Sequence, residues 1–229
     1  MKLSYPILFV IFTGLSLFSC SPKAAINTEL KKELDMIMFT DQAFRRQYDP
    51  KMSEAERRDI ADSLNLNYDE MRRNLLVLMN RYDTENTKKI ETIIAKYGYP
   101  GKSLVGEPTN QAAFLVIQHS SVIPKYLPLI KVVAEKKELP FMLYAMMLDR
   151  HLMYKGEEQI YGSQGDERDG VAIIWPIKDV VNVNKLRKEA GFPETVEEYS
   201  KLLFGEEFIF KSYTLKEVEE MFAGQIISY

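Results

Sequence analysis

The sequence contains one cysteine, Cys20, and only two histidines and one tryptophan in 229 residues. A single thiol excludes a disulfide within the chain, and a structural zinc site needs four Cys or His ligands. The spacing motifs of serine hydrolases, zinc proteases, phosphate-binding loops and EF-hands are also missing. We therefore expect neither metal nor cofactor. Whether the protein is an enzyme stays open at this point.

The chain also lacks a strong charge of either sign, because its formal net charge is −3. A mildly acidic protein has no basic field of the kind that nucleic-acid binding requires, so we expect no nucleic-acid partner. Hydrophobic residues make up 46% of the chain, which is enough for a buried core. The longest apolar run beyond the N-terminus, Leu139–Leu148, is too short to span a bilayer.

The N-terminus carries a short apolar run, Tyr5–Phe18, after the positive Lys2. The run is shorter than the roughly 20 residues of a transmembrane helix and suits a signal peptide. Leu17-Phe18-Ser19-Cys20 then resembles the lipobox of bacterial lipoprotein precursors. The resemblance implies removal of residues 1–19 and acylation of Cys20. An ordinary secretory peptide and an uncleaved anchor are the alternatives.

By the same resemblance, Ser21 in place of Asp after the cysteine implies sorting to the outer membrane, facing the periplasm. The acylated Cys20 would make the lipid bilayer the first partner. Residues 20–27 would be the lipidated Cys20 and its tether. The tether, residues 21–27, spans at most about 23 Å at 3.3 Å per residue, so the domain would stay close to the membrane.

The rest of the chain predicts a mainly α-helical domain over residues 28–204, with a small late β-hairpin or short antiparallel sheet. Residues 205–229 are predicted to be a strand–helix extension. Apolar residues at steps of three and four, with caps and breakers, indicate the helices. They are expected from Thr28, from Ser53 through Tyr82, from the cap Asp83 to Gly98, and at 110–121, 125–137, 140–153 and 179–190, with short helices after the capping boxes at Thr195 and Thr214.

Three segments favour β-structure. Residues 158–164 and 171–175 are β-prone and flank the charged loop 165–170, which indicates a hairpin. Residues 206–213 are predicted to form another strand.

Polar pairs interrupt the apolar helices in a characteristic order. The set comprises Asp41-Gln42 with Arg45, Tyr97-Gly98-Tyr99-Pro100, Gln118-His119, Asp149-Arg150, Gln159-Ile160-Tyr161-Gly162-Ser163-Gln164 and Asn184-x-x-Arg187. Over about residues 30–204 it resembles the uncharacterised bacterial domain-of-unknown-function family 6624. That family carries no established activity over to this chain, but the resemblance implies that the pairs converge in one place.

These pairs have two interpretations. In the first, Asp149, Arg150, Arg45 and the glutamines form a buried structural network. In the second, they surround a pocket for a polar ligand such as a sugar or peptide fragment. The candidate ligand-binding residues are then Gln118, Tyr161, Gln164, Gln159 and Arg45, because residues 159, 161 and 164 would alternate along one strand.

A catalytic version of the pocket uses four candidates. His119 would be the general base, Asp149 its orienting carboxylate and Arg150 the anion stabiliser, with Ser163 as a weakly supported nucleophile. We favour a membrane-anchored lipoprotein that acts as a non-catalytic ligand-binding or interaction module of the cell envelope. Its partner would be an envelope protein, peptide or glycan. An envelope hydrolase centred on His119 and Asp149 is the alternative.

Overall fold

The computed structural model describes residues 25–222, and eleven α-helices lie within that range. The helices are α1 (Thr28–Arg45), α2 (Glu54–Ser63), α3 (Tyr68–Arg73), α4 (Leu75–Tyr97), α5 (Lys102–Val105), α6 (Ala112–Gln118), α7 (Ile123–Glu135), α8 (Phe141–Tyr154), α9 (Val183–Ala190), α10 (Val196–Phe204) and α11 (Leu215–Met221). Strands β1 (Gly165–Arg168) and β2 (Val171–Ile174) form the one sheet of the described residues. The predicted fold class, mainly α with a small late antiparallel sheet, is confirmed.

The largest core lies between α1, α4, α6, α7 and α8. The apolar stripe of α1 supplies Leu30, Leu34 and Ile37, all of them buried. Helix α6 is apolar on every side and is enclosed by its neighbours, as the sequence predicted. Each such side chain contributes about 1.5–3 kcal/mol on burial, so the ends of these helices are held rigidly.

The segment after Ser53 differs from the prediction of one long helix. The chain breaks at Asn65, whose φ is +54°, and restarts at Asn67, whose side chain caps α3 by accepting from the Glu70 amide. Asn and its short polar side chain tolerate this left-handed conformation, so the break has a local cause. Asp83 does not cap a new helix, since α4 continues through it to Tyr97.

The hairpin is confirmed, but its strands lie elsewhere than predicted. The charged stretch that was expected to be a loop forms β1. It pairs antiparallel with β2, with Gly165 opposite Ile174 and Arg168 opposite Val171. Asp169 and Gly170 alone make the turn, with φ of +49° and +78° as in a type I′ turn. The predicted strand 158–164 does not form, and neither does the predicted strand 206–213.

The capping boxes predicted at Ser53, Thr195 and Thr214 are all present, each with both reciprocal hydrogen bonds. After the last one, Val218 and Phe222 pack against Trp175 and the neighbouring side chains of the hairpin. The predicted boundary at residue 204 stays a prediction.

The signal peptide and Cys20 lie outside the described residues, as do residues 223–229. Of the helices in residues 25–222, none combines the length and apolarity needed to cross a bilayer.

Candidate functional site

A solvent-open cleft of about 640 Å³ lies beside the turn that follows α6. The C-terminal ends of α1 and α8 and the middle of α4 form its other walls. Three of the nine predicted site residues line it: Arg45, His119 and Arg150. Its other polar lining residues were not predicted from the sequence; they are Asn80, Asp83, Ser120, Ser121, His151, Tyr154 and Lys155. His119, Ser120 and Ser121 also line an adjoining cleft of about 430 Å³ along α4.

His119 is oriented by Asp41 from α1. The Nδ1 atom lies 3.2 Å from the Asp41 carboxylate, whose side chain is fully buried. A carboxylate only accepts hydrogen bonds, so Nδ1 carries the proton in this pair, and Nε2 is an acceptor in the neutral ring. Because His119 lines the cleft, the pair can act there on a proton or a hydroxyl group.

Arg45 is held by two carboxylates. Its Nη1 and Nη2 atoms donate to Asp83 at 3.0 and 2.8 Å, and Nη1 lies 3.4 Å from Asp41. The Asp41 carboxylate also accepts from the Gln42 amide at 2.7 Å. Arg45 is therefore neutralised within the protein, and its fixed fork joins α1 to α4 beneath the cleft.

Arg150 binds two neutral oxygens. Its Nε donates to Oε1 of Gln164 at 3.1 Å, and its Nη1 donates to the carbonyl of Gln118 at 3.1 Å. These bonds connect the last turn of α8 with the end of α6 and with the entry to β1. They bring Gln118 and Gln164 next to the cleft, but neither side chain lines it.

Asp149 lies behind the cleft and serves the fold. It is fully buried and accepts from the backbone amides of Ile160, Tyr161 and Ser163 at 2.8–3.1 Å, and from the Ser163 hydroxyl at 2.9 Å. Burial raises the pKa of the Asp149 carboxyl, and these hydrogen bonds act in the opposite direction.

The expected orientation of His119 by Asp149 is therefore wrong, because the carboxylate at His119 belongs to Asp41. Ser163 is also unsuited to the role of nucleophile. It is 2% exposed, and its hydroxyl donates to Asp149.

Gln159 fixes the same loop rather than binding a ligand. Its amide donates to the carbonyls of Gln164 and Trp175 at 2.9 and 2.7 Å, and its Oε1 accepts from the Gln164 amide at 2.9 Å. Tyr161 turns away and stacks on Phe192 with ring centroids 6.0 Å apart. The expectation that 159, 161 and 164 share one face failed because this segment is a bent loop.

Arg187 is a second structural arginine. It is fully buried, donates to the carbonyls of Glu194 and Tyr161 at 2.9 and 2.8 Å, and lies over the ring of Phe192 at 4.4 Å. Burial lowers the pKa of its guanidinium. The polar pairs thus divide into a structural network around Asp149 and a smaller set that lines the cleft.

The residues that the sequence analysis missed had weak signals. Asp83 looked like a helix cap, and Ser120 and Ser121 are ordinary turn residues. Tyr154 lies four positions after Arg150 on α8, and Lys155 lies four positions after His151, so this spacing places the two members of each pair next to each other. Within residues 25–222, no group of three or more His, Cys, Asp or Glu side chains could hold a metal ion.

Comparison with known proteins confirms the family resemblance that the order of the polar pairs indicated. A family model described as a family of unknown function (DUF6624) matches residues 28–212. No curated protein and no solved structure matches the chain. The matched range contains the helical core, the hairpin, the cleft and the structural network around Asp149. The chain belongs to the family of unknown function DUF6624.

Proposed function

We propose that this protein is a membrane-anchored lipoprotein of the bacterial cell envelope that binds a small polar ligand, without catalysis, in the cleft at His119 and Arg150. The cleft itself carries the proposal. Its volume of about 640 Å³ falls within the range of small-molecule sites, about 300–1,000 Å³. Donors and acceptors from several helices converge on it, and the fold behind it is rigid.

The lining suits a ligand with hydroxyl, amide or acidic groups. His119 and Arg150 have fixed orientations, because Asp41 holds the imidazole and Gln118 and Gln164 hold the guanidinium. Fixed polar groups lose little entropy when they bind, which favours recognition of a small molecule. A sugar or a peptide fragment of the cell envelope has the matching chemistry.

The proposed anchor is acylated Cys20, at the periplasmic face of the outer membrane. The first described contact of the chain is close to it, since the Asn27 amide donates to the Leu104 carbonyl at 2.9 Å. Only six residues separate Cys20 from Asn27, which is about 20 Å when extended. The cleft lies at the C-terminal end of α1, about 27 Å from Asn27 at 1.5 Å per residue. A ligand would therefore be bound within about 50 Å of the membrane surface.

Binding can be tested with the full-length chain purified in detergent. The chain is incubated with peptide and glycan fragments released from bacterial cell walls, and bound molecules are identified by mass spectrometry. Ser121→Trp should block the cleft, because Ser121 is an exposed lining residue. Ser63→Trp, on the exposed end of α2, is the matched control. Retention by the wild type and the control, but not by Ser121→Trp, is expected; equal retention by all three contradicts the proposal.

A hydrolase is the second candidate, and the Asp41–His119 pair favours it. A buried carboxylate that orients an imidazole toward a cleft is the arrangement of a general base. His119 would take a proton from a water molecule, and Arg150 would stabilise the negative charge that develops on the attacked group. Asp41 takes the role that the sequence analysis gave to Asp149.

The same mass spectra distinguish the two candidates. A binding protein returns its ligand intact after prolonged incubation. Recovery of cleaved fragments with the wild type, and of intact fragments with His119→Ala, would establish the hydrolase instead.

A further inference from the structure

Arg150 carries a positive charge in the cleft, and no acidic side chain of residues 25–222 forms an ion pair with it. Its hydrogen-bond partners, the Gln118 carbonyl and the Gln164 side-chain oxygen, are both neutral. Among residues 25–222 it forms no ion pair, whereas Arg45 is paired with Asp83 and Asp41 and Lys155 is paired with Glu157. A half-buried guanidinium without a counter-ion favours binding of an anion.

The orientation of Arg150 is also fixed. Its two hydrogen bonds use Nε and one Nη1 proton, and a guanidinium has five N–H groups. Up to three N–H groups are therefore left for a ligand. A planar fork in a fixed position matches the paired oxygens of a carboxylate or a phosphate group better than it matches a neutral hydroxyl.

Neighbouring groups can complete the recognition. The hydroxyl of Ser121 and the ring of His151 line the same cleft, and the Nε2 of a neutral His119 accepts a hydrogen bond. An oxyanion at Arg150 could thus belong to a molecule whose own hydroxyl or amide donates to His119.

We propose that the ligand of the cleft carries a carboxylate or phosphate group and that Arg150 binds this group. The inference rests on the proposed function and adds the ligand class and the residue that selects it. It excludes a neutral sugar as the preferred ligand.

Titration calorimetry on the full-length chain in detergent tests the inference. The probes are inorganic phosphate, succinate and neutral N-acetylglucosamine, so the two sources of oxyanion are measured separately. We expect phosphate or succinate to bind more tightly than the neutral sugar. Arg150→Gln should weaken that binding about tenfold or more, as loss of a charged hydrogen-bond partner does. Arg81→Gln, on exposed α4, is the control and should leave binding unchanged.

Each failure has a distinct meaning. Preference for the sugar, or oxyanion binding that survives Arg150→Gln, overturns the inference and leaves the proposed function standing. Binding of no probe, together with no retained cell-wall fragment, overturns both.

A second measurement needs no variant at Arg150. Bound phosphate or succinate must shift the imidazole NMR signals of His119 or His151, and oxyanion binding that moves neither signal overturns the inference.

Discussion

Replacement of Asp149 is the substitution whose effect on stability follows most directly from the structure. One buried carboxylate holds the loop 160–163 by accepting from three backbone amides and one hydroxyl. The loop in turn positions Gln164, which binds Arg150 at the edge of the cleft. Loss of this carboxylate should therefore both reduce the stability of the fold and displace Arg150.

The magnitude follows from the donors that would lose their acceptor. A buried donor without a partner costs about 1–3 kcal/mol. Ile160 and Tyr161 are half-buried and can turn their amides to water, but Ser163 is 2% exposed and keeps two donors inside. With the cavity left by the side chain, Asp149→Ala should lower the free energy of unfolding by about 3–5 kcal/mol. Asp149→Asn should cost about 2–3 kcal/mol, because its amide nitrogen would face amide donors.

Urea unfolding followed by circular dichroism measures both variants. Asp62→Asn, at an exposed position of α2, is the control and should change stability by less than about 0.5 kcal/mol. A loss below about 1 kcal/mol for Asp149→Ala would refute the assignment of Asp149 as the anchor of the loop.

Three further predictions concern the same chain. Burial raises the pKa of Asp149 above its ordinary value near 3.8, so the folded chain retains that proton where the unfolded chain has lost it. The stability of the wild type relative to Asp149→Asn should therefore be greatest below about pH 4 and fall as the pH rises through the folded pKa, in urea titrations at several pH values; an opposite slope contradicts the burial argument. Gly162→Ala should cost about 2–4 kcal/mol, since φ is +65° and the added Cβ would lie 2.7 Å from Val196. Gly191→Ala, where φ is +89° and nothing lies within 4 Å, should cost only about 1–2 kcal/mol in the same assay; equal costs would refute the packing argument. Cys20→Ala should abolish labelling of the full-length chain by an alkyne fatty acid in a bacterial host, and undiminished labelling would contradict acylation at that residue.

Most helices could be predicted because their signals are local. Apolar spacing of three and four residues and reciprocal capping boxes act within one or two turns. The start of α1 and both ends of α7 and α8 accordingly agree with the prediction to within about two residues. The break at Asn65 was missed because the apolar spacing continues across it. Its cause is the pair of turn-forming asparagines, Asn65 and Asn67.

The first strand of the hairpin was predicted at the wrong residues, because the charged side chains of 165–170 were taken to indicate a loop. In β1 the half-buried Asp166 and Arg168 pair with each other, and Arg168 also lies over the ring of Phe222 at 4.8 Å, so a strand accommodates these charges. Asp169-Gly170 is the stronger signal, since both residues adopt the positive φ that a two-residue turn needs.

The site was only half predictable for a different reason. Asp41 and His119 are 78 positions apart, and their contact depends on which helices become neighbours. Periodicity identifies the face of a helix but not the helix that packs against it. The sequence therefore identified Arg45, His119 and Arg150 as cleft residues but assigned the wrong carboxylate to His119.

The most direct test of the account uses the two histidines of the chain, both of which line the cleft. Imidazole spectra of the full-length chain labelled at histidine contain only the signals of His119 and His151. During titration with the molecule recovered from cell-wall fragments, the account predicts saturable shifts of these signals in the wild type and their loss in Ser121→Trp. Binding of that molecule with both imidazole signals unmoved would contradict the claim that the cleft is the binding site.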